Sequence, residues 1–227
     1  MASQIMAVGN PHTLARQRKI KSIQLALIAG ALCVLPFGLW IAFKIVLPIW
    51  AYVLYLLFPR LVYLIAKETR ADAHKAEKGA KAEDQVYQLL KTLESKGWAI
   101  ERNVRIDKIG DIDFFLTSPE KKYFVVEVKS HSGVVCFDGK LLHRLDDSCV
   151  HHFEKDFLWQ VMRQAITLRE LHHLSFVVPI LVFTEAQLKL NDCKPRNVNV
   201  LTDNELIGFL EEYESESQKF APSAAGT

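Results

Sequence analysis

Two stretches, Gly110-Asp111-Ile112-Asp113-Phe114-Phe115 and Val126-Glu127-Val128-Lys129, decide how this chain is read. Both are rich in β-branched and aromatic residues, and Thr117-Ser118-Pro119-Glu120-Lys121 between them carries turn chemistry, so the pair is expected to form an antiparallel hairpin. Side chains alternate along a strand, which sends Glu127 and Lys129 to one face and Val128 to the other. A hairpin sets the start of its first strand beside the end of its second, so Asp113 is expected next to Glu127 and Lys129. Direct opposition of Asp113 and Glu127 needs an odd loop, such as Pro119-Glu120-Lys121 between Ser118 and Lys122. A two-residue turn would rotate Asp113 to the other face, because a one-residue slip inverts every side chain. Three-residue loops usually place Gly or Asn at a left-handed position. Neither is present, which leaves a longer loop or a bulge open.

Charges on apolar strands are costly unless they are paired or bind a metal. Adjacent carboxylates offer hard oxygen ligands to Mg²⁺, which takes one or two of them with waters and phosphate oxygens. A neighbouring lysine can orient an attacking water and stabilise charge developing on a phosphoryl group. The grouping therefore suits phosphodiester hydrolysis; the plainer alternative is a surface hairpin with a salt bridge between Glu127 and Lys129.

The D-x(n)-E-x-K pattern resembles the PD-(D/E)xK nuclease superfamily. The fuller wording, G-D-I-D-F-F followed by V-E-V-K-S-H-S-G-V-V, resembles its NERD (nuclease-related domain) branch. The proline of the superfamily name is replaced by Ile112 before Asp113. The resemblance spans about Gly79 to Tyr213. It implies an α/β, restriction-endonuclease-like mixed sheet flanked by helices, and a nuclease dependent on Mg²⁺ or Mn²⁺. Asp113 and Glu127 would hold the metal and Lys129 would serve the attacking water. Glu83 matches a glutamate on the first core helix that completes or supports the metal site. Gln160 and Gln164 resemble the glutamine pair that related nucleases carry on the helix after E-x-K, with Gln160 the preferred site residue. Asp111 reads as a turn residue after Gly110.

Outside this core the 227-residue chain is strongly partitioned, although its net charge is only +2, which excludes a bulk polycationic mode of binding. Ile23–Phe43 carries no charge and is long enough to cross a bilayer core of ~30 Å at ~1.5 Å per residue. A second apolar run lies near Pro48–Ala66. Arg16, Arg18, Lys19 and Lys21 precede the first run; Lys67, Arg70, Lys75 and Lys78 follow the second. Basic flanks at both ends predict transmembrane α-helices in a hairpin with both termini in the cytoplasm. One span followed by an interfacial helix is the alternative. The four cysteines, Cys33, Cys136, Cys149 and Cys193, are scattered without a C-x-x-C, so free thiols are expected rather than zinc or disulfides.

The expected organisation is a cytoplasmic segment 1–22, a transmembrane hairpin 23–66, a linker helix 67–82, a nuclease domain 83–213 and a disordered tail 214–227. Within the domain, Val86, Leu89, Leu90 and Leu93 mark a helix over Ala82–Glu94, and a strand follows near Ala99–Val104. Val134–Gly139 reads as a separate strand and turn after Gly133. A helix is expected over Phe153–Leu171, with Phe157, Val161, Leu168 and Leu171 as its apolar stripe. Phe176–Phe183 reads as a strand buried on both faces. After a short strand at Asn197–Leu201, Thr202-Asp203-Asn204-Glu205 forms a capping box before a helix at Leu206–Tyr213.

His131, His143, His151, His152, His172 and His173 read as surface residues, His131 being the best placed for a site role. The expected function is hydrolysis of nucleic acid, DNA in the first instance, by a domain held at a membrane, the inner membrane in a bacterium. Expected partners are nucleic acid, the lipid bilayer and a second copy joined through the hairpin. The rival is a non-catalytic module that binds nucleic acid or docks a protein at the membrane. Intact Asp113, Glu127 and Lys129 favour the enzyme, since a pure binder has no need of all three.

Overall fold

In the computed structural model the residues described are 17, 20–21, 23–28, 30–31, 34, 38, 41, 49–106, 109–146, 149–191 and 194–220. About half of the first apolar run therefore lies outside the described residues. The chain divides into a unit of residues 9–80 and a unit that takes in residues 81–227.

Helix α1 runs unbroken over Ile49–Lys91. The expected linker helix and the expected first core helix are thus one element, because nothing from Lys67 to Ala82 interrupts helical propensity: the stretch is alanine-rich and charged, with Gly79 as its lone glycine. In the unit of residues 9–80, Val62, Ala66 and Ala73 are buried, while Leu57, Leu61, Tyr63, Leu64 and Ile65 are exposed. Among the described residues, no helix is long and apolar enough to cross a membrane.

The larger unit is a seven-stranded mixed sheet flanked by helices. Its strands are β1 (Ala99–Ile106), β2 (Gly110–Thr117), β3 (Tyr123–Phe137), β4 (Leu142–Asp146), β5 (Cys149–His152), β6 (Val178–Lys189) and β7 (Asn199–Thr202). Strands β1 to β5 pair in chain order and antiparallel, while β6 pairs parallel with both β3 and β7. Helices α2 (Phe157–Leu171) and α3 (Asp203–Phe220) complete the unit.

Strand alternation divides the core between the two faces of the sheet. Phe115, Val125, Leu181 and Phe183 pack with Phe157, Leu158, Val161, Ala165 and Leu168 of α2. Phe114, Phe124, Val126, Val128, Ile180 and Val182 pack with Val86 and Leu90 of α1 and with Leu206 and Leu210 of α3. Val178 to Phe183 are all buried, as expected for a strand covered on both sides, but Phe176 is exposed and precedes the strand. Leu171, expected in the α2 stripe, is also exposed.

The hairpin loop settles the register. Ser118 and Lys122 are bonded across it, with Lys122 O accepting from Ser118 N at 2.9 Å. The three residues between them are Pro119, Glu120 and Lys121. Lys121 takes the left-handed position at φ 64° without being Gly or Asn.

Strand β3 does not stop at Gly133. It continues to Phe137, and the expected separate strand at Val134 is its second half. Its register against β6 shifts between Lys129 and Ser132, and Gly133 adopts φ 93°. A β-bulge with a left-handed glycine absorbs the break that the sequence suggested. The β4–β5 ribbon was not anticipated; its strands are short and rich in His and charge rather than in alternating apolar residues.

Helix α2 begins at Phe157, with Asp156 capping Trp159 N at 3.0 Å, four residues later than the expected start. The capping box at α3 forms: Glu205 Oε2 accepts from Thr202 N and from Thr202 Oγ1, each at 2.8 Å. Helix α3 runs on to Phe220, so the first residues of the expected disordered tail are helical, and 221–227 lie outside the described residues.

Candidate active site

The pairing of β2 with β3 ends at Phe114 opposite Val126, and that of β4 with β3 begins at Leu145 opposite Val134. Between those points no strand among the described residues lies beside the β3 edge facing β2 and β4, while β6 holds the other edge. Glu127 and Lys129 lie in this gap. Asp113 sits one step past the last β2–β3 pair, in register with Glu127 and on the same face. Its carboxylate takes the place of a neighbouring strand, with Oδ2 accepting from Val128 N at 2.7 Å.

Glu127 is buried and its two oxygens are fully engaged. Oε1 accepts from Lys129 Nζ at 2.5 Å and from Gln160 Nε2 at 2.6 Å. Oε2 accepts from Gln164 Nε2 at 2.9 Å. Both glutamines project from α2, one helical turn apart, which is the i, i+4 relation that stacks side chains on one face. Gln164, ranked behind Gln160 in the sequence, is thus an equal partner of Glu127. The Lys129 ammonium also lies 4.8 Å from the centre of the Phe157 ring.

Burial pushes the Asp113 carboxyl well above its usual range, and the charges of Glu127 and Glu83 push it further. Lys129 and the Val128 amide oppose that rise. The Glu83 carboxyl on α1 is likewise raised, first by burial and also by Glu127 and Asp84, against the pull of Arg102 and Lys129. Glu83 therefore stands within electrostatic reach of the other three groups. Arg102, which the sequence gave no reason to single out, donates to Asp84 Oδ1 at 2.8 Å and stacks over Tyr87.

Asp111 is exposed on β2, and its carbonyl lies 3.5 Å from Gln164 Nε2. His131 packs against Phe153 and Phe157, with ring centres 4.9 and 5.6 Å away. Cys136 and Cys149 are free thiols; Cys33 and Cys193 lie outside the described residues.

Among the described residues no three His, Cys, Asp or Glu side chains are already gathered as a metal-binding group. The donor set nevertheless suits a hard divalent cation, because Mg²⁺ needs only one or two carboxylates and keeps several waters. The mutual repulsion of Asp113, Glu127 and Glu83 is what a cation would relieve.

Residues 78–184 match the family model NERD, the nuclease-related domain. That stretch takes in Glu83, Asp113, Glu127, Lys129, Gln160 and Gln164. Residues 78–184 are thus similar to a nuclease-related domain. A repair endonuclease from Pyrococcus abyssi is similar in structure at 16% identity and a TM-score of 0.31, over 50% of this chain and 47% of that one. SfsA from Pyrococcus furiosus, solved in complex with Ca²⁺, is similar at 14% identity and a TM-score of 0.29, over 54% of each chain. The chain spans about half the length of either. No curated protein matches it.

Proposed function

We propose that this protein is a divalent-metal-dependent nuclease that hydrolyses phosphodiester bonds, with DNA as its substrate. The observation that carries the reading is the meeting of Asp113, Glu127 and Lys129 at the one stretch of β3 that β2 and β4 leave uncovered. An open strand edge lets a phosphate approach groups that would otherwise be sealed in a sheet.

Asp113 and Glu127 would hold Mg²⁺ or Mn²⁺, with Glu83 in support. When bound, such a cation supplies Lewis-acid polarisation of the scissile phosphate. Lys129, pinned by Glu127 and the Phe157 ring, orients the attacking water and offsets charge developing on the phosphoryl oxygens. Gln160 and Gln164 fix the Glu127 carboxylate from two sides, so it costs little to reorganise during reaction.

The exposed Leu57, Leu61, Leu64 and Ile65, together with the charge-free stretch 23–43 and the basic residues flanking 23–66, support attachment of the domain to a bilayer through residues 23–66. The same surfaces offer a route to self-association.

A second reading has its own observation. Both Glu127 oxygens are occupied by this chain's own donors, as in a module that keeps the fold to bind nucleic acid without cleaving it. The deciding experiment is a cleavage assay of the full chain in detergent, on single- and double-stranded DNA and RNA, with Mg²⁺, with Mn²⁺ and with neither. Metal-dependent cleavage that Asp113→Asn abolishes supports the enzyme; binding without cleavage under every condition supports the second reading.

A further inference from the structure

Beside the site, where residues 152–157 lead from β5 into α2 and face the start of β4, lies a cavity of about 210 Å³. Leu141, Phe153 and Phe157 give it apolar walls, and His152, Glu154 and Lys155 give it polar ones. We propose that this cavity receives one base of the nucleic-acid strand, turned out of its stack beside the scissile phosphate. The proposal rests on the nuclease reading and adds to it a binding pocket for a nucleobase.

Three observations support that occupant. The cavity and the reacting groups share a wall: the Phe157 ring that lines the cavity also carries Lys129 Nζ 4.8 Å from its centre. His131 packs against both Phe153 and Phe157, so the two rings are braced from the strand that bears Glu127 and Lys129. The volume falls below the ~300–1,000 Å³ of pockets for drug-sized ligands, and so suits a single ring system. Aromatic walls stack any base through its π-face. Glu154 supplies an acceptor for an exocyclic amino group, as carboxylates do for cytosine N4. Lys155 and His152 are exposed donors for the backbone of the same strand. Extrusion of a nucleotide into a fitted pocket is an established way to present it to a site.

The test is equilibrium binding of the full chain, without divalent metal, to labelled single-stranded oligonucleotides, read by fluorescence anisotropy. Each oligonucleotide of the set carries one abasic position. Loss of the base at one position should weaken binding roughly tenfold, and losses elsewhere should have little effect. Leu141→Trp, which fills the cavity, should abolish that positional difference; His152→Trp, on an exposed residue, is a second filling variant should the first not fold. The proposal is overturned if the parent protein binds every abasic oligonucleotide like the intact one, if it binds none, or if a folded filling variant keeps the positional effect. Metal-dependent cleavage without any positional effect removes the pocket and leaves the nuclease. A positional effect without cleavage under any metal does the reverse.

Discussion

The carboxylate of Asp113 accepts the backbone amide of Val128 at 2.7 Å, at the point where β2 parts from β3. One side chain thereby satisfies a strand amide that has lost its neighbour and stands against Glu127. Structural and chemical demands on Asp113 pull in different directions, and its raised protonation equilibrium records the conflict.

Replacing Asp113 with Asn makes that conflict measurable. A carboxyl whose folded pKa lies above its unfolded value stabilises the fold below the unfolded pKa, and that contribution is lost as pH rises through the folded pKa. Without metal, Asp113→Asn should therefore melt higher than the parent at neutral pH, with the gap closing as pH falls towards 4. Thermal melts in EDTA across that range check it. The variant should also lose metal affinity and cleavage together. A variant that melts below the parent at pH 7 would show that the Asp113 charge is not a burden on the fold.

Lys129→Ala removes a preorganised charge and should cut cleavage by about 10²–10³ while leaving the metal affinity close to that of the parent. Arginine at that position should restore little, since a planar, delocalised guanidinium cannot replace a compact ammonium between Glu127 and Phe157. Single-turnover kinetics and a metal titration separate the two quantities. Cleavage at the parent rate, with metal still required, would rule out the role assigned to Lys129.

Gln164 tests the support of Glu127. Gln164→Ala frees Oε2 and should weaken metal binding or turnover by about 10- to 100-fold, the usual cost of losing a group that orients a ligand. Gln160→Ala should do likewise from Oε1, and the double variant should fall short of the product of the two, because both hold one carboxylate. Activity unchanged in both single variants would mean that Glu127 is positioned by Lys129 alone.

Gly133 follows the irregularity between Lys129 and Ser132 that lets β3 continue past the site. A Cβ there would meet Leu145 O at 3.1 Å and Arg144 carbons at 3.3 Å, on a backbone already at φ 93°. Gly133→Ala should cost about 1–2 kcal/mol from the left-handed conformation alone, and more from the contact with the Leu145 carbonyl. Urea unfolding should show a lower midpoint at an unchanged slope.

For the membrane reading, single cysteines in intact cells provide the check. One introduced near Lys44 should react with an impermeant reagent, while ones near Ala7 and Ser217 should not. External labelling at Ser217 would refute two spans with this orientation.

Much of the site was legible because its determinants are local. Apolar, β-branched and aromatic runs mark β2 and the first half of β3, and in the structure the three-residue loop Pro119-Glu120-Lys121 sets Asp113 opposite Glu127. The helical phase of Gln160 and Gln164 shows one shared face, although not what that face meets. Lys121 misled the reading of the loop: a lysine tolerates the left-handed position when Ser118 and Lys122 are bonded on either side of it.

What the sequence determined by itself is therefore the strand-forming runs and the identity of the charged groups, since each depends on residues a few positions apart. Only the tertiary structure decided where β2 leaves β3 and where β4 joins it, on the edge of β3 opposite the one that β6 covers from far along the chain. It also decided that Gln164 shares Glu127 with Gln160, and that β3 runs through Gly133. These are outcomes of long-range packing, and a side chain's periodicity carries no record of the partner that a distant strand or helix will bring to it.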